Sequence, residues 1–223
     1  TPTEDQTLGI DTSGLADVEG LGTFSYQWQR DGSNISGATG TTYTLGDIDV
    51  GATITVVVSY TDGESYAESV TSAGVGPIAN INDAPTGTVT ISGTPTEDQT
   101  LTVSNTLADD DGMGTVSYQW QRDGSDITGE TGTSYTLGDA DVGATITVIA
   151  TYTDGNSTIE NVTSNSLGPI ANVNDTPTGA VTISGTPTED QTLTVSNTLA
   201  DDDGMGTVSY QWQRDGSDIT GAT

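Results

Sequence analysis

The sequence predicts an all-β protein built from tandem antiparallel β-sandwich modules of about 92 residues. Residues 26–32 recur as 118–124 and again as 210–216, each time 92 residues further along the chain, and residues 89–129 are identical to 181–221. Apolar residues alternate with Thr and Ser in short runs, which is typical of strands with one buried face. No helical periodicity appears, so the repeat is predicted to be made of strands and turns.

Proline and Asn/Asp residues interrupt the strand pattern at 80–85 and 172–177, which predicts module boundaries at these segments. The first module is predicted over 1–83 and lacks its opening strand. A complete module is predicted over 84–175, and the N-terminal half of a third over 176–223.

The middle copy is predicted to contain six strands, separated by turns such as Asp123-Gly124 and Asp154-Gly155. Gly168-Pro169 is expected to be a kink or an edge feature of the last strand. In chain order, strands A, B, C, E, F and G are predicted at 89–91, 100–103, 116–120, 134–137, 144–152 and within 159–170.

The charge of the chain restricts its partners and its chemistry. The formal net charge is −29, from 32 acidic and 3 basic residues, with no histidine and no cysteine. Such a chain is not expected to bind nucleic acid, which requires clustered Lys and Arg, or to insert in a membrane. It offers no Ser-His-Asp triad, no thiol nucleophile and no zinc site. We therefore predict no enzyme, and we expect divalent cations as partners.

Two groups of motifs resemble known families. Trp120 on strand C, and an Asp141-Val142-Gly143 turn before a long strand F, resemble the bacterial immunoglobulin-like fold, without the cysteines of antibody domains. The acidic segments 108–114, 152–155 and 174–177 are similar to the calcium-binding elements of cadherin-like repeats. Together they resemble the repeats of large secreted bacterial adhesins that carry RTX-type sequences, which implies a secreted or cell-surface location.

In that topology, acidic turns of one module, the linker, and acidic loops of the next module meet at each junction. Ca²⁺ accepts 6 to 8 oxygen ligands in flexible geometry, so a junction with many carboxylate and amide oxygens suits Ca²⁺ better than Mg²⁺. The alternative is that these Asp and Asn residues only stabilise turns. The predicted ligands at the first junction are Glu4, Asp47, Asp49, Asn82, Asp83, Asp109, Asp111 and Asp154, and at the second Glu97, Asp139, Asp141, Asn174, Asp175, Asp201 and Asp203.

The resemblance implies a non-catalytic extender of an extracellular bacterial adhesin, made rigid by Ca²⁺ at its module junctions and in contact with neighbouring modules or chains of the same protein. One alternative is a subunit of an extracellular filament or sheath that assembles through incomplete terminal modules. Another is a module that binds a glycan or a protein. Trp120 is expected to be a core residue, and Arg122 to form a salt bridge with an acid of the E–F turn.

Overall fold

The computed structural model describes all 223 residues and is all-β, apart from two single-turn 3₁₀ helices at Asp47–Asp49 and Asp139–Asp141. The first copy of the repeat forms β1 (Thr7–Gly9), β2 (Ser25–Arg30), β3 (Ser33–Asn34), β4 (Thr42–Thr44), β5 (Ile54–Thr61) and β6 (Ala67–Thr71). The middle copy forms β7 (Val89–Ser92), β8 (Thr100–Asn105), β9 (Ser117–Arg122), β10 (Ser125–Asp126), β11 (Ser134–Thr136), β12 (Ile146–Thr153) and β13 (Ile159–Thr163). The third copy forms β14 (Val181–Ser184), β15 (Thr194–Asn197), β16 (Gln213–Arg214) and β17 (Ser217–Asp218).

The strands pair in several small antiparallel sheets. The two larger sheets have the orders β3-β2-β5-β6 and β10-β9-β12-β13, which are equivalent in the repeat. The smaller sheets are β1-β4, β11-β8-β7, β14-β15 and β16-β17. The all-β prediction is therefore confirmed.

By its internal contacts the chain divides into two compact units. Unit 1 comprises Thr1–Gly87, Thr106–Val116 and Thr151–Val162, and unit 2 comprises Thr88–Asn105, Ser117–Ala150 and Thr163–Thr223. The module boundaries predicted from the repeat remain a prediction.

The core of unit 1 lies under the sheet of β2 and β5. Along β5, Ile54, Val56 and Val58 are buried and alternate with less buried residues, as the period of a strand requires. Trp28 on β2 stands opposite Val56 and packs with Leu45 and Ile78 from outside the strands. The alternation in the sequence thus defines the inward face of this sheet.

The core of unit 2 is centred on Trp120, which is fully buried as predicted. Its indole Nε1 donates to the carbonyl of Gly132 at 2.9 Å, and its ring packs against Tyr135 at a centroid distance of 5.5 Å. Leu101 and Leu137 complete the buried layer.

The predicted strand bounds differ from the structure mainly at the end of the middle copy. Strand G was predicted within 159–170, but β13 ends at Thr163, and the Gly168–Pro169 peptide beyond it is cis. The short strand β10 was not predicted. It pairs with β9 through a turn in which Asp123 and Gly124 both have positive φ.

Candidate metal centres

Three carboxylates from distant parts of the sequence meet in unit 1. One carboxylate oxygen from each of Glu4, Asp47 and Asp83 lies within 4.8 Å of the other two. Glu4 is held by the bridge of Thr3 to Ala79, and its amide donates to the Ala79 carbonyl at 3.1 Å. Asp47 begins the first 3₁₀ turn. The local backbone therefore fixes two of the three acids.

The carboxylate of Glu4 is the most unusual group of this cluster. The residue is only 1 % exposed, yet it carries no cationic partner. Its Oε1 accepts a hydrogen bond from the amide of Ile81, whereas its Oε2 is buried and has no hydrogen-bond partner. A buried carboxylate oxygen without a partner is costly, so this atom requires either a proton or a cation.

Unit 2 contains a second cluster with the same construction. Carboxylate oxygens of Glu97, Asp139 and Asp175 lie within 4.8 Å of one another. Glu97 is also 1 % exposed, its Oε2 accepts from the amide of Val173 at 3.0 Å, and its Oε1 is buried without a partner. The orphan acceptor therefore recurs in both copies.

Burial and neighbouring carboxylates raise the pKa of two acids in each cluster, Glu4 and Asp83 in unit 1 and Glu97 and Asp175 in unit 2. Burial is the largest cause that raises the pKa of Glu4, followed among the raising causes by Asp47 and then by Asp111. For Glu97, the carboxyl of Asp139 is the largest cause of a raised pKa, and burial adds to it. Asp83 and Asp175 also have raised pKa values, first because of burial and then because of repulsion from neighbouring acids. Each cluster thus brings acidic groups together without a basic side chain to balance them.

Two further predicted ligands hold the linker backbone beside these clusters. Asp111 Oδ2 accepts from the amide of Asp83 at 2.9 Å, and Asp203 Oδ2 accepts from the amide of Asp175 at 2.7 Å. Asp109 and Asp201 each accept from the amide two residues later in their loop, and Asp109 also accepts from the Tyr152 hydroxyl. None of these four belongs to a three-carboxylate cluster.

Asp154 lies in the turn after β12 and is also buried. Its Oδ1 accepts from the amides of Asn156 and Thr158 at 2.9 and 2.7 Å, and its Oδ2 has no partner. The turn packs closely against the 109–112 loop, because a Cβ on Gly155 would lie 2.5 Å from the Asp111 carbonyl oxygen. Only glycine fits this approach without a shift of the backbone.

The linker asparagines use their amide groups as donors. Asn82 Nδ2 donates to its neighbour's carbonyl at 3.0 Å and to Glu160 Oε1 at 2.8 Å, and Asn174 Nδ2 donates to the Asp175 carbonyl at 2.7 Å. The contact with Glu160 was not predicted, since nothing in the sequence relates two residues so far apart.

Asp49 and Asp141, also predicted as ligands, are placed in a different environment. Each is fully buried and forms a salt bridge with the arginine of its copy, Asp49 with Arg30 at 2.7 Å and Asp141 with Arg122 at 2.6 Å. The predicted salt bridge of Arg122 with the E–F turn is thereby confirmed.

The remaining acceptor positions of Asp141 are also used. Its Oδ2 accepts from the Tyr135 hydroxyl at 2.7 Å and from the amide of Gly138 at 3.0 Å. Burial, and then the carboxylate of Asp141, raise the pKa of Tyr135 to about 12, so the phenol stays a donor at neutral pH. Asp141 therefore anchors the turn that carries Asp139, rather than joining the cluster.

The chain matches no model of a known protein family and no curated protein. The structure contains no helix that is long and apolar enough to span a membrane.

Proposed function

We propose that the chain is a non-catalytic, calcium-binding extender of an extracellular bacterial adhesin. The observation that carries this proposal is the buried, partnerless carboxylate oxygen of Glu4 and of Glu97, each within 4.8 Å of two further carboxylates. The same arrangement in two copies of the repeat favours a ligand over an accident of packing.

The donor set agrees with calcium. Every candidate ligand atom in the two clusters is a carboxylate oxygen, which is a hard donor, and the chain has neither histidine nor cysteine. Ca²⁺ tolerates irregular sets of 6 to 8 oxygens at 2.3–2.6 Å, whereas Mg²⁺ demands a near-ideal octahedron. Three carboxylates supply three to six oxygens, and carbonyls or water complete such a shell in other proteins.

A bound cation would connect three segments of unit 1 that are far apart in sequence. Glu4 lies at the N-terminal segment, Asp47 in the 3₁₀ turn and Asp83 in the linker, whose amide is held by Asp111. Repulsion among unscreened carboxylates costs about 1 to 4 kcal/mol per pair at 4 Å, so a cation that removes it stiffens the linker. A string of such linkers is suited to projecting a distal domain from a cell surface.

The finer architecture belongs to the same proposal. We infer immunoglobulin-like or cadherin-like sandwich modules of about 92 residues, in which β11-β8-β7 and β10-β9-β12-β13 are the two sheets of the middle copy. The extracellular location and the adhesin context rest on the resemblance of the repeat and on the acidic composition.

Calcium titration of matched variants tests the proposal. At Ca²⁺ a hundredfold above its dissociation constant, one site stabilises the folded state by about 2.7 kcal/mol. Dissociation constants of about 10⁻⁴ to 10⁻³ M are expected for extracellular modules. Calorimetry on the wild type should detect binding at both clusters, and Glu97→Gln should lose one of the two sites.

The chain provides its own control for this substitution. Glu189 has the same local sequence as Glu97 but is exposed, and it belongs to neither cluster. Glu189→Gln therefore removes the same charge and should keep wild-type binding. Equal melting temperatures in Ca²⁺ and in EDTA, or equal binding by the two variants, would refute a metal centre at Glu97.

A further inference from the structure

The three acids of the cluster in unit 1, called here the first cluster, are held in place by different means. The backbone holds Glu4, whose amide donates to the Ala79 carbonyl at 3.1 Å, and Asp47, which begins a 3₁₀ turn. Asp83 lies in the linker, outside every strand, and its amide donates to Asp111 Oδ2 at 2.9 Å. The position of Asp83 in the cluster therefore depends on the carboxylate of Asp111.

Hydrogen bonds hold both the backbone and the carboxylate of Asp111, which is buried. Its amide donates to Asp109 Oδ1 at 2.9 Å, and its carbonyl accepts from the amide of Gly155 at 3.0 Å. Its Oδ1 accepts from Asn156 Nδ2 at 2.8 Å, and its Oδ2 accepts from the Asp83 amide. Because both carboxylate oxygens are used, the side chain has one defined orientation.

Two side chains of the middle copy support Asp111 in this orientation. Asn156 donates to its carboxylate and also to Asn80 Oδ1 at 2.8 Å, so it connects the loop of Asp111 with the linker. Tyr152 on β12 donates its hydroxyl to Asp109 Oδ2, and the other oxygen of Asp109 holds the Asp111 amide. All of these residues belong to unit 1.

We propose that Asn156 and Tyr152 are positioning residues of the first cluster. Together they fix Asp111, and Asp111 places the backbone of Asp83 where its carboxylate meets the other two acids. A ligand that is already held in its binding geometry loses less conformational entropy when an ion binds, so these two residues raise the affinity for calcium by acting through Asp111. The inference rests on the proposed function, because a gain in affinity requires a bound cation, whereas the hold on the Asp83 amide does not.

The first copy of the repeat supplies a control for Tyr152. There, Tyr60 donates to Asp17 Oδ2 at 2.8 Å, and Asp17 Oδ1 accepts from the amide of Glu19 at 2.9 Å. These acids belong to neither cluster. Tyr60→Phe therefore removes the same kind of hydrogen bond as Tyr152→Phe, in a loop that holds no acid of a cluster.

Hydrogen exchange of the Asp83 amide, followed by NMR on the full chain in EDTA, tests the positioning without calcium. Asn156→Ala should accelerate this exchange by about tenfold, because Asp111 loses a donor that orients its carboxylate. Asn161→Ala is the matched control, since Asn161 is also exposed and bonds to the Thr151 hydroxyl instead. An exchange rate that both substitutions change equally, or leave unchanged, overturns the role of Asn156.

Calorimetry on the full chain tests the effect on calcium affinity. Glu97→Gln removes the second binding site that we propose and so isolates the first cluster. In this background, Asn156→Ala should weaken Ca²⁺ binding by about tenfold and Tyr152→Phe by about fivefold. The controls Asn161→Ala and Tyr60→Phe should leave the affinity unchanged.

The cluster in unit 2 separates positioning from a general loss of stability. With Glu4→Gln in place of Glu97→Gln, only that cluster should bind, and neither Asn156→Ala nor Tyr152→Phe should change its affinity. Equal weakening in both backgrounds would mean that the substitutions act through overall stability, and would overturn the proposal. No binding in the parent chain refutes the calcium centre and the positioning role together, whereas binding that Asn156→Ala and Tyr152→Phe leave unchanged refutes the positioning role alone.

Discussion

Replacing Arg122 by Met is expected to destabilise the fold strongly, because it leaves a buried carboxylate without its cation. Asp141 is fully buried, and its charge is balanced only by Arg122, at 2.6 Å. The Tyr135 hydroxyl and the Gly138 amide remain as neutral donors. Breaking a buried pair at one side typically costs about 3–5 kcal/mol, out of a total stability of about 5–15 kcal/mol. Met retains most of the apolar stem, so the loss reports mainly on the charge.

Urea unfolding followed by tryptophan fluorescence, at saturating Ca²⁺, measures this loss. Arg214→Met is the matched control, since Arg214 has the same neighbours in sequence but is exposed and forms no salt bridge. It should change the free energy of unfolding by no more than about 0.5 kcal/mol. Arg122→Met and Arg214→Met proteins of equal stability would refute the reasoning.

A double variant separates charge from packing. In Arg122→Met combined with Asp141→Asn the buried group is neutral, so the double variant should be less destabilised than the sum of the single changes. Additive losses would mean that the arginine acts through its contacts rather than through its charge. Asp139 and Asp141 share one 3₁₀ turn, so Arg122→Met should also weaken the calcium binding that we propose at Glu97.

Two further predictions concern pH and the core. The pKa of Glu97 is raised above its ordinary value of 4.5, so its contribution to stability is present below pH 4.5 and is lost as the pH rises through the raised pKa. In EDTA, thermal melts should therefore show that Glu97→Gln is more stable than wild type at pH 7. At pH 4 the two proteins should be equally stable. The same difference in stability at both pH values would contradict the predicted pH dependence. Trp120→Ala should cost about 3–5 kcal/mol in urea unfolding, and Trp212→Ala well under half of that, because Trp212 is only half-buried; similar costs would contradict the difference in packing.

The fold class was predictable because the alternation of apolar and polar residues has a period of two, and this period defines a buried face without any knowledge of the partner strand. The short strand β10 could also have been predicted from the sequence. Asp123 and Gly124 adopt φ values of 47° and 78°, and Asp-Gly is the typical sequence of the hairpin turn that requires positive φ at both positions. The prediction made here from the sequence includes this turn but not the strand that follows it.

The sequence could not predict which acid of a turn joins a carboxylate cluster and which forms a buried salt bridge. Asp47 and Asp49 are two residues apart in one acidic turn, and their residue type is the same. The 3₁₀ geometry and the reach of Arg30 decide that Asp49 is buried and paired while Asp47 is exposed and joins the cluster. The burial of a residue could not be predicted from its local sequence either. Ile91 and Ile183 have identical neighbours in sequence, yet Ile91 is 3 % exposed and Ile183 is 64 % exposed.

The single arginine of the first two copies forms its salt bridge outside the acid clusters, which are left without a cationic side chain. Arg30 lies in contact with Asp49, two residues from Asp47, yet its charge is used to balance a carboxylate that has no access to water. Asp47 and Glu4, which belong to the neighbouring cluster, form no salt bridge with an arginine. With repulsion of about 1–4 kcal/mol per pair, three such acids use up a large share of a total stability of about 5–15 kcal/mol. If calcium binds at these clusters as proposed, it removes this repulsion, and the folding and stiffness of the repeat should both follow the external calcium concentration.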